Sequence, residues 1–400
     1  MNFLRKAADR MEQAQEKFEE LKISSKDNND GNKDVTVDGQ NMSDSEYAGK
    51  VEKTIPAMVR MISGCHDTQT SADVSNTASF ELPEETGPGG AGGAATNSLL
   101  AALERNGSTD MTWVDLLESM RKILSEKGYS QIPQLSASRK LDVASDKFQL
   151  INPEETSSSQ RKALLVGINY VGQKGELSGC HNDVISMKRF LIKEGFDESN
   201  IRVLLDDGEA ENPTAENIMK GFDWLTENNS KGDSLFFHYS GHGGYVADDN
   251  GDEADGRDET IVPVDYQSAG QIRDDLIFKE LVLPVDEGIM LSCLMDCCHS
   301  GTVLDLPYMI KASSELDSSA QMEANPGFSF KRLFALAVKM YEMKQSGASN
   351  TDMAKAAGTE ILPMFAGANK TSGGLGNLMS FAASMAGKNS SGGKLPSLPF

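Results

Sequence analysis

I-M-L-S-C-L-M-D-C-C-H-S-G-T-V-L-D-L, from Ile289 to Leu306, starts as an apolar run of strand length and then breaks into an acid, two cysteines, a histidine, a serine and a glycine. The pattern describes a buried strand that delivers a thiol to a turn, and the crevice outside the carboxyl ends of strands is where open α/β sheets place their chemistry. A stretch of the same form lies upstream: S-L-F-F-H-Y-S-G-H-G-G, Ser234 to Gly244, is an apolar strand ending in polar residues flanked by glycines. His242 and Cys298 therefore each stand at a strand exit. A thiol is a strong nucleophile as thiolate, and a neighbouring imidazole is the usual means of keeping it so at neutral pH. A cysteine inside an apolar strand is more commonly a small core hydrophobe, which is the reading for Cys293. Cys298, followed by His299, Ser300 and Gly301, fits the nucleophile of a cysteine–histidine dyad.

Outward from these two strands the chain alternates. R-K-A-L-L-V-G-I-N from Arg161 reads as a strand buried on both faces. A helix over Asn182 to Glu194, a strand over Ile201 to Leu205 and a helix over Thr214 to Asn228 follow it. Together with the strands at Leu235 and Ile289 this predicts an α/β unit over residues 160–310, with a mainly parallel central sheet and helices on both faces. A polar joint, residues 146–159, separates it from a smaller α/β unit over residues 52–145. That unit has a strand in A-M-V-R-M-I-S-G-C, helices over Ala94 to Arg105 and Trp113 to Glu126, and an edge strand over Pro133 to Ser138. Residues 1–23 carry Leu4, Ala7, Met11, Ala14, Phe18 and Leu21 at helical spacing, an amphipathic helix that caps the body in preference to a coiled coil. Residues 24–51, rich in Asp, Asn, Ser and Lys, are expected to be a disordered linker. Residues 311–400 are expected to be a weakly ordered extension with one helix over Ser329 to Met343.

Composition narrows the partners. Across 400 residues the formal charge is −22, which disfavours nucleic acid and anionic membrane and suits a cation or a basic substrate. Five cysteines, an odd number without repeated spacing, and the lack of an N-terminal apolar segment point to a reducing, cytoplasmic setting. His66, His181 and His238 are scattered singly, so a structural zinc site is not expected. No run approaches the roughly 18 apolar residues of a spanning helix.

Y-S-G-H-G at Tyr239 to Gly243 and D-C-C-H-S-G at Asp296 to Gly301 resemble the metacaspases, cysteine peptidases of the caspase-like clan. S-G-C-H-N-D at Ser178 to Asp183 resembles the family's early loop, and S-G-C-H-D-T-Q-T-S-A-D at Ser63 to Asp73 its smaller subdomain. Placing the smaller unit first is similar to the type III metacaspases of certain algae. The resemblance covers roughly residues 52–310 and implies a caspase-like three-layer sandwich. It implies His242 as general base and Cys298 as nucleophile, with the backbone N–H groups of Gly243 and Cys298 as oxyanion hole. Cys297, at a position often serine in relatives, is the alternative nucleophile. The resemblance also places carboxylates at the substrate pocket: Asp183 and Asp296, with Cys180 and Ser240 beside them and Asp73 from the smaller unit, Asp67 being its rival. Such a pocket selects Arg or Lys before the scissile bond of a protein or peptide substrate. Taken singly, each aspartate has the blander reading of a solvated loop residue or helix cap.

D-D-N-G-D-E-A-D-G-R-D-E, Asp248 to Glu259, is the densest acidic run. As an EF-hand loop it fails at its sixth position, where Glu253 stands in place of the turn glycine. The resemblance implies instead a Ca²⁺ site of Asp258, Asp274, Asp275 and Asp305, against the simpler reading of a screened acidic surface. The expectation is a calcium-dependent endopeptidase, with a monomer expected. The competing class is a non-catalytic, calcium-responsive homologue acting as a binding or scaffold protein.

Overall fold

The computed structural model describes residues 34–38, 40–64, 73–74, 80, 82, 90–107, 111–247, 257–297, 303–310 and 320–330. The amphipathic helix expected over residues 1–23, the helix expected over Ser329 to Met343 beyond its first two residues, and Cys298 lie outside the described residues.

The chain opens with a hairpin, β1 (Asp34–Val37) and β2 (Gln40–Ser43), followed by helix α1 (Asp44–Thr54). The disordered linker expected over residues 24–51 is thus corrected from Asp34 onward. Two local features outweigh the polar composition. Ser43 and Glu46 form a reciprocal capping box at the start of α1. Tyr47 is buried, packs edge-to-face against Tyr308, Phe328 and Phe330, and donates its hydroxyl to the Pro307 carbonyl at 2.9 Å.

Next come β3 (Met58–Ser63), β4 (Asp73–Val74), β5 (Gly92–Gly93), α2 (Ala94–Asn106), α3 (Trp113–Glu126) and β6 (Gln134–Ala137). Helix α3 is capped by Thr112 and Asp115 and buries Trp113, Leu116, Leu117, Met120, Ile123 and Leu124, one stripe at helical spacing. The larger unit follows: β7 (Arg161–Gly167), α4 (Cys180–Lys193), β8 (Ile201–Leu205), α5 (Ala215–Thr226), β9 (Ser234–Ser240), β10 (Gly243–Ala247), β11 (Arg257–Ile261), β12 (Ile272–Arg273) and β13 (Met290–Asp296). Two further strands, β14 (Tyr308–Ile310) and β15 (Met322–Ala324), lie beyond it.

One eight-stranded sheet runs β15-β14-β6-β3-β13-β9-β7-β8 and is flanked by helices, an α/β sandwich. The strands from β3 to β8 in that order are parallel, while β6, β14 and β15 pair antiparallel. The two units share this sheet, because β3 of the smaller one pairs with β13 of the larger. Two expectations are corrected here. Strand β6 is interior, paired with β3 and β14, because its four residues are all buried and both its edges are covered. Order also continues into the extension expected over residues 311–400, since β15 adds a strand to the sheet beside β14, with Phe328 and Phe330 packed on Tyr47. Strands β9 and β13 lie at the centre with every residue buried, which explains their unbroken apolar runs. No helix among the described residues is long and apolar enough to cross a membrane.

Candidate active site

Strands β9 and β13 are parallel neighbours in the register Ser240↔Asp296, so they end side by side. His242 and Cys298 each follow two residues beyond that pair, on strands about 4.8 Å apart. The His242 ring is held by a loop that sequence reasoning passed over. Its Nε2 lies 2.6 Å from the Gly175 carbonyl. A carbonyl only accepts, so Nε2 carries a proton and Nδ1 is the ring nitrogen left to act on a substrate or thiol. Gly175 has φ +84°, and a Cβ there would come within 3.2 Å of Nε2, which explains a glycine at that position. The loop is pinned from beneath by Asp206, which accepts the N–H groups of Asn169 at 2.8 Å and Val171 at 3.1 Å and meets His181 Nε2 at 2.6 Å. Cys297 is buried in the core, which disfavours it as the attacking thiol. Cys293 is buried as expected, and burial pushes its thiol up, against ionisation.

The pocket residues Cys180, Asp183, Ser240 and Asp296 are brought together at the ends of β9, β13 and α4, all of them buried. Asp183 accepts the Ser240 hydroxyl at 2.7 Å, the Gly93 N–H at 2.8 Å and the Asn97 amide at 3.0 Å. Asp296 accepts the Thr96 N–H at 2.7 Å. Both carboxylates thus face the N-terminal turn of α2, where free N–H groups and the helix dipole favour negative charge. Even so, burial, and next the Asp296 charge, raise the Asp183 carboxyl well above the ordinary aspartate value. Gly93, Thr96 and Asn97 were not anticipated. The signal available was the Gly92-Gly93 pair directly before a helix whose first turn carries small polar residues. Asp73 pairs through its backbone with Gly93, which brings its strand to the pocket, while its side chain and Asp67 lie outside the described residues.

Of the expected calcium ligands, Asp258, Asp274, Asp275 and Asp305 are all buried. Asp274 accepts the N–H groups of Glu259 at 3.1 Å and Asp275 at 2.6 Å. Asp258 forms an ion pair with Arg273 at 2.8 Å. Asp305 holds φ +41°, a strained value for a non-glycine residue. Oxygen donors buried in this number suit a hard cation in kind. Among the described residues, however, no three His, Cys, Asp or Glu groups converge on a common metal position, so the donor set is not assembled.

Two comparisons bear on this constellation. Residues 161–307 match the family described as "Metacaspase, peptidase C14 domain", and residues 8–143 match the one described as "Caspase domain". The chain is 47% identical over 294 residues to "Metacaspase III c" of Phaeodactylum tricornutum, covering 72% of this chain and 85% of that one. It is 49% identical over 166 residues to "Metacaspase-1" of Mycosarcoma maydis, covering 40% of this chain and 41% of that one. Together with the fold, these matches define a cysteine-type endopeptidase of the caspase-like class. Within that class, the chain belongs to the metacaspase family.

Proposed function

We propose that this metacaspase is a calcium-dependent endopeptidase that cleaves after Arg or Lys through His242 and Cys298. The observation that carries the reading is the Ser240↔Asp296 register, which ends the two site-bearing strands side by side. His242 Nδ1 takes the thiol proton, and the Cys298 sulfur attacks the carbonyl carbon of the substrate's basic residue. The tetrahedral oxyanion is met by the backbone N–H groups of Gly243 and Cys298, with no side chain at Gly243 to obstruct approach. The imidazolium returns its proton to the leaving amine. Water deprotonated by His242 then hydrolyses the thioester.

Arg or Lys specificity is supported by two carboxylates at 1% and 4% exposure, Asp183 and Asp296, in one pocket. With its carboxyl raised, Asp183 opposes folding when ionised, so stability falls as pH rises from the ordinary aspartate range toward the raised value. Asp183→Asn is therefore expected to flatten the fall in melting temperature that the wild type shows as pH rises from about 4 toward neutrality. The same variant is expected to lose cleavage after Arg and Lys. Melting curves across pH and a peptide panel check this, and a variant whose melting temperature falls with pH as steeply as that of the wild type would contradict it.

Calcium would draw on Asp258 in β11, Asp274 and Asp275 directly after β12, and Asp305 beyond β13, carboxylates that would have to draw together to hold it, and it would supply a fixed positive charge among them. Asp258 is meanwhile neutralised by Arg273, the residue directly before Asp274. Arg273→Gln is accordingly expected to bind calcium about tenfold more tightly by calorimetry, since a competing internal cation is removed. Equal or weaker binding counts against Arg273 as competitor. The experiment for the whole reading is hydrolysis of Arg-, Lys- and Asp-ending peptides with calcium or chelator, beside a Cys298→Ala control. Absence of turnover leaves the scaffold reading in its place, and turnover that is independent of Cys298 overturns the assigned nucleophile.

A further inference from the structure

We propose that Tyr170 and Tyr239 form a hydroxyl clamp on the backbone of His242, making both tyrosines positioning residues for the base. The inference rests on the reading of His242 as that base. The His242 N–H donates to Tyr170 Oη at 3.0 Å, and Tyr170 donates its own proton to the Val262 carbonyl at 2.7 Å. Tyr239 donates to the His242 carbonyl at 2.8 Å. The Val262 N–H lies 3.2 Å from both Tyr239 Oη and the His242 carbonyl, and the two phenol oxygens lie 3.2 Å apart. The backbone of the base is therefore gripped at its N–H by one hydroxyl and at its carbonyl by the other. Val262 closes the ring of bonds.

Three further observations single out this arrangement from ordinary core packing. Tyr170 also lays its ring against the imidazole, with centroids 4.7 Å apart, so one residue contacts both the backbone and the side chain of His242. It does so with φ +54°, an uncommon and strained state for a bulky residue. The flanking Asn169 and Val171 N–H groups, both bound to Asp206, hold that conformation. Gly241, the residue between Tyr239-Ser240 and His242, has no room for a side chain. A Cβ there would lie 2.8 Å from Tyr239 Oη and 3.2 Å from Tyr170 Oη. The hydroxyls occupy that space, and burial raises both phenols so that each keeps its proton to donate. A phenylalanine would fill either ring site equally well, so the oxygens are what the clamp requires.

The test compares Tyr170→Phe and Tyr239→Phe with the wild type, using Tyr47→Phe as control. Tyr47 also loses a buried hydroxyl bond, to the Pro307 carbonyl at 2.9 Å, but away from His242. The readouts are kcat and KM on an Arg-ending peptide, melting temperature, and the pH dependence of Cys298 alkylation by iodoacetamide, with Cys298→Ala as blank and His242→Ala as reference. The expected result is a kcat lowered about 10- to 100-fold with KM within about twofold in both clamp variants. Their alkylation profile should move toward that of His242→Ala, while Tyr47→Phe keeps the wild-type values. Wild-type kcat and alkylation in the clamp variants would overturn the proposal, as would an equal loss in Tyr47→Phe at equal melting temperature. If His242→Ala alkylates as the wild type does, the base assignment falls and the clamp with it. That outcome is distinct from a functioning base that is indifferent to the tyrosines.

Discussion

Gly93→Ala is expected to destabilise the protein by about 3–5 kcal/mol and to abolish peptide cleavage, because the Gly93 Cα lies against both pocket carboxylates. The added Cβ would overlap Asp296 Oδ2 and lie 2.8 Å from Asp183 Oδ2. Both carboxylates are held by hydrogen bonds that a retreat would break. Asp183 is tied to Ser240 and Asn97, and Asp296 to Thr96. Separation of α2 from the two strands would relieve the overlap, at the cost of the N–H groups of Gly93 and Thr96 that satisfy these buried acids. An acid stripped of its donors in the interior is far more costly than the lost hydrogen bond itself. Melting temperature and hydrolysis of an Arg-ending peptide check the two halves separately, and a variant matching the wild type in both would show that the helix start does not form the pocket wall.

The second large effect concerns the proposed dyad. His242→Ala is expected to lower kcat about 10⁴-fold, and Cys298→Ala to remove covalent turnover altogether. Groups that act as a unit are strongly non-additive, so the double variant should be no worse than Cys298→Ala alone. The melting temperature of His242→Ala should stay close to that of the wild type. Its side-chain bond is a partly exposed contact with the Gly175 carbonyl, whereas the grip on its backbone does not depend on the imidazole. Steady-state kinetics with active-site titration provides the measurement. A His242→Ala enzyme retaining a tenth or more of its turnover would remove His242 as the base.

Much of the fold was legible because burial on both faces leaves a continuous apolar signature. Strands β7, β9 and β13 carry it, and helices α2 and α3 carry the periodic one, so their positions emerged from residue type alone. The ordered stretch before Thr54 was hidden because its stability depends on a few anchors, Tyr47 above all, set in a polar sequence. Strand β6 looked like an edge because its second neighbour, β14, is supplied from beyond Pro307, far along the chain. At the site, ionisable side chains were easier to find than what holds them. Asp183 and Asp296 stood out through the motifs, while Gly93 and Gly175 act through backbone atoms that no residue type advertises. Tyr170 was equally hidden, since a tyrosine after an apolar strand reads as core. Arg273 lay beside the expected acidic ligands, yet its pairing with Asp258 depends on how β11 and β12 are aligned across the hairpin.

The shared sheet constrains what a cut between the two units could achieve. Strand β13, which leads to the thiol, is flanked by β9 from its own unit and by β3 from the other, with Met290 to Met295 each opposite a β3 residue. The joint over residues 146–159 is itself anchored, with Asn152 bonded to Ser234 and to the carbonyls of Asp233 and Gly288. Scission there would yield two polypeptides still zipped together along a central ladder. Any change of activity on nicking would therefore come from newly freed chain ends rather than from the release of a fragment.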